Sequence, residues 1–216
     1  MSNISPEIGY LYINGLGDGT ITLKDRVINW WWHRAGMELQ HAHINWYDGN
    51  DLSSKLADIE HQVSAMLQSF GGVAIIGSSA GGSLAVNSFF KLRESNVCVI
   101  SSHGRLAAGD FGDNQRNSLH QRAQLDTEEP SKSFFDSVQM AESEVIPGLS
   151  DSDKGRMLVL TQLADMVVPL NLMAIDDVQQ HRSLAFGHSG GFVAHMIGDR
   201  DMIRKFATSC LLPTEG

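Results

Sequence analysis

Short apolar runs alternate with stretches of helical period along most of the chain. Runs at 8–13, 39–45, 73–77, 97–101, 157–161 and 183–186 have the length and side-chain character of buried strands. Between the second and third runs, Leu52, Leu56, Ile59, Val63, Met66 and Phe70 recur at three- and four-residue steps, the pattern of a helix with one apolar face. Leu84, Val86, Phe89, Phe90 and Leu92 mark a helix after the third run. Its first turn is all small residues, as a helix pressed close to a sheet requires. Val193, Met196, Ile197, Ile203 and Phe206 mark a last helix. This alternation predicts a three-layer α/β/α sandwich around a mainly parallel sheet of about six strands.

The alternation breaks once, between 103 and 156, where far more chain intervenes than one crossover helix needs. Residues 113–126 are polar with weak periodicity, whereas Phe134, Val138, Ala141 and Val145 follow Pro130 at helical spacing and Pro147-Gly148 stops the pattern. A small helical insertion ahead of the strand at 157–161 is expected.

At 216 residues the chain suits one domain spanning 1–216. With 42% hydrophobic and 19% charged residues, it falls among ordinary globular proteins. No apolar run reaches the length of a membrane span, and the polar start of the chain lacks the basic patch of a secretory signal. A cytoplasmic location is therefore expected. A net charge of -9 and a pI near 5.4, with lysines and arginines scattered, repel phosphate backbones and argue against nucleic acid as a partner. Cys98 and Cys210 form neither a disulfide framework nor a metal-ligand spacing, and His41-x-His43 lacks a third ligand. No metal or cofactor is expected.

The chemistry centres on Gly77-Ser78-Ser79-Ala80-Gly81, directly after an apolar run and at the start of a helical pattern. A serine hydroxyl becomes a useful nucleophile only with an exposed perch, a base and an oxyanion site. A sharp strand-to-helix turn supplies the perch, and it tolerates only small residues two before and two after the serine. The bland alternative is a glycine-rich turn with Ser79 as a helix cap. A base and its orienting carboxylate belong after later strands. Asp165 follows the run at 157–161, and His188 follows the run at 183–186. Asp110 is a rival for the acid. His103, at the end of the fourth run, is a candidate pocket residue, and His195 is expected to pack inside the last helix. Gly15-Leu16-Gly17-Asp18-Gly19 also follows a strand, but a dinucleotide loop would need an acid at the end of the second strand, which closes Ile44-Asn45-Trp46. Trp30-Trp31-Trp32 on a helix must point in three directions, leaving at least one tryptophan partly exposed.

Serine, then acid, then histidine is a chain order that resembles the α/β-hydrolase family. Asp165-Met166-Val167-Val168-Pro169 looks like its acid turn, and Gly187-His188 like its histidine loop. Tyr10-Leu11-Tyr12-Ile13 running into Asn14-Gly15-Leu16-Gly17-Asp18-Gly19 is similar to the oxyanion loop after its third strand, with Asn14 where the family often has histidine. The resemblance implies a minimal α/β-hydrolase fold without the first two strands, as in small esterases and lipases. It implies Ser79 as nucleophile, His188 as base, Asp165 as acid, and the amides of Leu16 and Ala80 as the oxyanion hole. The insertion at about 103–156 would then be lid-like, with Phe134, Phe135, Val138 and Met140 either facing an acyl chain or merely packing on the sheet. The implied function is a serine hydrolase cleaving a carboxylic ester or thioester of a small-molecule acyl substrate through an acyl-enzyme, with no cofactor. Non-hydrolytic chemistry of the same residues (lyase, acyltransferase or perhydrolase) and a catalytically silent ligand-binding protein are the alternatives.

Overall fold

The computed structural model describes residues 8–109, 132–165 and 167–212. Asp110, the polar stretch at 113–126 and Pro130 lie outside the described residues. Six strands form the sheet: β1 (Ile8–Ile13), β2 (Glu38–His41), β3 (Gly72–Ser78), β4 (Val97–Ser102), β5 (Met157–Ala164) and β6 (Gln179–Phe186). The order is β2-β1-β3-β4-β5-β6 and every pairing is parallel. From β1 the chain steps to one side for β2, then returns past β1 to form β3 on the other. The loops leaving β1 and β3 therefore part at their carboxyl ends and open a crevice there.

Helices α1 (Leu23–His33) and α7 (Arg200–Leu211) cover one face of this sheet; α2 (Leu52–Leu67), α3 (Ala80–Leu92) and α4 (Lys132–Met140) cover the other. In β3, Val73 and Ile75 join the core under α2 and α3, while Ala74 and Ile76 join the core under α1 and α7. Burial on both faces is why the central strands read as unbroken apolar runs. The edge strands depart from the expected bounds. The segment at 42–46 leaves the sheet after His41, because Ile44 and Trp46 hydrogen-bond to the loop after β1 instead. Conversely, β6 starts four residues earlier than its apolar run, since its outer half is polar at a sheet edge.

Local chemistry sets the helix starts. Thr22 and Asp25 form a reciprocal capping box on α1, and the Asp51 side chain caps α2 by accepting from the Ser54 amide. Ser79 occupies the cap position of α3 yet makes no capping hydrogen bond. Within the insertion, α4 runs on through a π turn (Ala141–Val145), and the short α5 (Asp151–Lys154) leads into β5. α4 packs on α3 through a buried polar clasp: Asn87 Nδ2 donates to the Ser137 carbonyl at 2.9 Å, and the Ser83 and Ser137 hydroxyls lie 2.9 Å apart. Phe134 and Val138 are buried in the core beneath, with Phe134 edge-on to Trp46.

Candidate active site

Ser79 stands at the crevice between β1 and β3 with φ +53° and ψ −118°, a conformation that non-glycine residues rarely hold. Its neighbours fix it from both sides. The Ser79 amide donates to the Ser102 carbonyl at 3.3 Å, and the Ser79 carbonyl accepts from the amides of Gly82 (3.0 Å) and Arg105 (3.1 Å). The turn leaves no room for side chains around it. A Cβ on Gly77 would sit 2.1 Å from the Gly81 carbonyl oxygen, and one on Gly81 would sit 2.5 Å from the Ile13 oxygen. Both glycines are thus steric requirements of the serine's perch.

The short helix α6 (His188–Val193) opens with His188, after Gly187, whose φ of +78° swings the chain off β6. His188 Nε2 lies 2.8 Å from Ser79 Oγ, and His188 Nδ1 lies 2.8 Å from Asp165 Oδ2. The Asp165 carboxylate accepts the Nδ1–H, which leaves Nε2 bare toward the serine hydroxyl. At the end of β5, Asp165 is held on its other oxygen by the amides of Val167 (2.7 Å) and Val168 (3.0 Å), and Gln162 Nε2 also donates to Oδ2. Burial works against its charge. The hydrogen bond and charge of His188 and the two amides outweigh it, holding the carboxyl below the usual carboxylate range.

A cleft of about 360 Å³ lies over Ser79 and His188, walled mainly by the loop and helix start that follow β1. Asn14 builds that wall. Its Oδ1 accepts from the Ile44 amide and its Nδ2 donates to the Ile44 carbonyl, both at 3.0 Å, so the side chain pairs as a strand would. The loop is further tied by the Trp46 amide donating to Gly17 O at 2.9 Å. Leu16 lines the cleft, and Gly15 comes so near that a Cβ there would lie 3.1 Å from Ser79 Cβ. Among the described residues no acceptor is hydrogen-bonded to the amide of Leu16 or of Ala80. For Ala80 the cause is plain: as the first residue of α3 it has no intrahelical acceptor.

The structure adds residues that sequence reasoning did not bring to the site. The hydroxyls of Tyr12 and Ser78 meet at 2.8 Å beneath the cleft, and burial raises the Tyr12 phenol well above its ordinary pKa. Lys24 Nζ sits 4.2 Å over the Phe192 ring at the cleft wall. Both contacts join residues far apart along the chain, which no local motif announces; only the Thr22 to Asp25 spacing was a readable signal for the helix start.

Behind His188 runs a buried polar chain. His103 does line the cleft, edge-on to His188 with ring centroids 4.7 Å apart. His195 is fully buried, as a packing residue should be, but it is also hydrogen-bonded. Its Nε2 donates to the Thr161 carbonyl at 3.2 Å, so its Nδ1 accepts from the Ser102 hydroxyl at 2.8 Å. Ser102 in turn accepts from His103 Nδ1–H at 3.1 Å. Burial first, and then the neighbouring imidazoles of His188 and His195, push the His103 pKa well below its ordinary value. His103 is therefore a neutral group beside His188. His41 and His43 are engaged elsewhere, with Asn29 and with the Gly19 carbonyl.

Neither a protein-family model nor a curated protein matches the chain. Solved structures do. A metagenome-derived lipolytic enzyme, from a study of LipS and LipT, superposes with a TM-score of 0.59 at 14% identity, covering 95% of this chain and 93% of that one. The monoacylglycerol lipase of Paleococcus ferrophilus gives 0.55 at 13% identity over 94% and 96%. The meta-cleavage product hydrolase of Pseudomonas fluorescens gives 0.56 at 18% identity over 95% and 92%.

Proposed function

We propose that this chain, which has the α/β-hydrolase fold, is a serine hydrolase cleaving a carboxylic ester or thioester of a small molecule through an acyl-enzyme. The observation that carries this reading is the unbroken hydrogen-bonded row Ser79–His188–Asp165, with 2.8 Å at each link and the serine on a strained turn. In the first half-reaction His188 Nε2 takes the Ser79 proton as Oγ attacks the carbonyl carbon. Asp165 remains ionised and stabilises the imidazolium. The oxyanion is received by the amides of Leu16 and Ala80, and the departing alcohol or thiol takes the proton from His188. Water then enters, gives its proton to His188 and attacks the acyl carbon; the acid leaves and Ser79 regains its proton. Neutral His103 suits this cycle, because a second cation edge-on to His188 would oppose formation of the imidazolium.

The cleft's size favours a compact acyl group, gripped by apolar Leu16, Val167 and Phe192 beside polar Thr20, Thr22 and Lys24. Phe134 and Val138 belong to the core under α3, so an acyl-chain role for them is set aside. The test is labelling with a fluorophosphonate. Covalent modification at Ser79, absent in Ser79→Ala and in His188→Ala, is expected. A folded chain that takes no label is a binding protein. Labelling with no net hydrolysis of nitrophenyl esters or thioesters points to transfer or lyase chemistry instead.

A further inference from the structure

The outward side of α1 breaks the usual rule for a helix packed on a sheet. Asp25, Ile28 and Trp32 are its buried residues. On the opposite side, Leu23, Val27, Trp30 and Trp31 fall at i, i+4, i+7 and i+8 and form one stripe. These side chains are open to solvent, Leu23 at 78% and Trp30 at 54%. An exposed run of large apolar groups with two adjacent indoles marks a contact surface.

Charge identifies what the stripe meets. The chain carries -9 overall, yet the stripe is bordered by exposed Arg26 and Arg34, and Arg200 lies against Trp31. The Arg34 guanidinium is 5.1 Å from the Trp30 ring. None of the ion pairs among the described residues involves Arg26 or Arg34, while Asp201 is paired with Arg200 and Arg204 and Asp25 accepts from the amide and hydroxyl of Thr22. A second copy docking by a two-fold axis would press this cationic border against itself. An anionic bilayer offers what the surface lacks: acyl chains for the indoles and leucine, and phosphates for the border. Thr22, Lys24 and Asp25 also line the cleft, so the stripe begins at its mouth. No helix among the described residues is long and apolar enough to cross a membrane, so contact by this face would be peripheral.

We propose that the outward face of α1 docks the protein on an anionic lipid surface through Leu23, Val27, Trp30 and Trp31, flanked by Arg26 and Arg34. Docking is independent of turnover and is read without it. The experiment is co-sedimentation of the full chain with phosphatidylcholine vesicles, with and without phosphatidylglycerol. Binding to the anionic vesicles, a blue shift of tryptophan emission and weakening by salt are expected. The double variant Trp30→Ser/Trp31→Ser should lose binding. Arg26→Gln/Arg34→Gln should bind about 25-fold more weakly, at roughly fivefold per basic residue near an anionic leaflet. Circular dichroism checks that both variants are folded, and either alone tests the surface. Three results overturn the proposal: no binding to anionic vesicles, binding unchanged in the folded variants, or a dimer in sedimentation equilibrium that the tryptophan variant dissociates.

Discussion

Asp165→Asn isolates the carboxylate's role without changing its shape. Oδ1 accepts two backbone amides and Oδ2 accepts from His188 and Gln162, so every neighbour of this carboxylate is a donor. A carboxamide must turn its NH₂ toward one of the two sides. Facing Val167 and Val168 it would meet two fixed amides. Facing the other side it meets Gln162, whose Oε1 is buried without a partner among the described residues and can turn to accept. The second choice is cheaper, and it places an N–H opposite His188 Nδ1. His188 must then carry its proton on Nε2, where it donates to Ser79 and can no longer take the serine's proton. Loss of the correct tautomer costs on the order of 10⁴ in kcat, about 5.5 kcal/mol of barrier. The assay is steady-state hydrolysis of nitrophenyl acetate, with thermal unfolding to check that the fold is kept. A folded variant retaining activity within about tenfold of the parent would refute the tautomer argument and move the acid elsewhere, Asp110 being the candidate.

Gly77→Ala and Gly81→Ala should each destabilise the fold by several kcal/mol and abolish fluorophosphonate labelling. Their Cβ atoms meet backbone oxygens at 2.1 and 2.5 Å, and labelling with urea denaturation at parental levels would show that the turn can relax. Asn14→Ala removes both hydrogen bonds to Ile44. It should cost about 1–3 kcal/mol of stability and lower kcat by roughly 10²-fold with little change in KM; an unchanged kcat would separate the loop from the oxyanion. Stability should fall in acid. Burial lowers the pKa of His41, His103 and His195, so the unfolded chain binds their protons more tightly. Their contribution is complete above about pH 6.5 and declines below it, with a slope of up to about 1.4 kcal/mol per pH unit for each histidine. Asp165, whose carboxyl is held low, adds its loss only as pH falls further, through its depressed folded value. Urea melts across this range test the sign, and His103→Phe should flatten the first limb; a slope unchanged in that variant would refute the assignment.

What was legible in the sequence followed from burial and order. Strands β1, β3, β4 and β5 are buried on both faces over most of their length, and the resulting apolar runs gave β1, β3 and β4 to within a residue at each end and the start of β5, which runs three residues past its expected end into the exposed Leu163 and Ala164. The partners of Ser79 were legible because each strand of a parallel sheet delivers its following loop to the same edge, so Asp165 and His188 had to arrive there. Contacts made by register across strands were not legible. Tyr12 and Ser78 are 66 positions apart, and their bond exists only because Ile13 pairs with Gly77 in the sheet. His195 was legible as buried, but its bonds to Ser102 and Thr161 depend on how the last helices return across β4 and β5. Helix α1 gave no clean signal because large apolar residues, Leu23, Val27, Trp30 and Trp31, stand on its exposed side while Asp25 is among its buried ones.

The sheet changes character at its carboxyl edge, and that change holds Ser79. Ser78 pairs with Ser102 in the β3–β4 register, so Ser79 and His103 stand one step beyond it at the same level. Both have positive φ, +53° and +42°, and both are non-glycine. Each strained residue is tied across to the next strand: the Ser79 amide donates to Ser102 O, and the His103 amide donates to Leu160 O at 2.8 Å. Above them α3 and the loop after β4 close on each other, with a Cβ on Gly82 only 2.4 Å from Gly104 Cα. An apolar layer would pack this edge at lower cost, since buried hydroxyls and imidazoles must each find partners. Ser78 supplies a partner for Tyr12, and Ser102 supplies one for His103 and His195. The position of Ser79 Oγ, 2.8 Å from His188 Nε2, is thus set by two neighbouring strands and a helix rather than by a single loop.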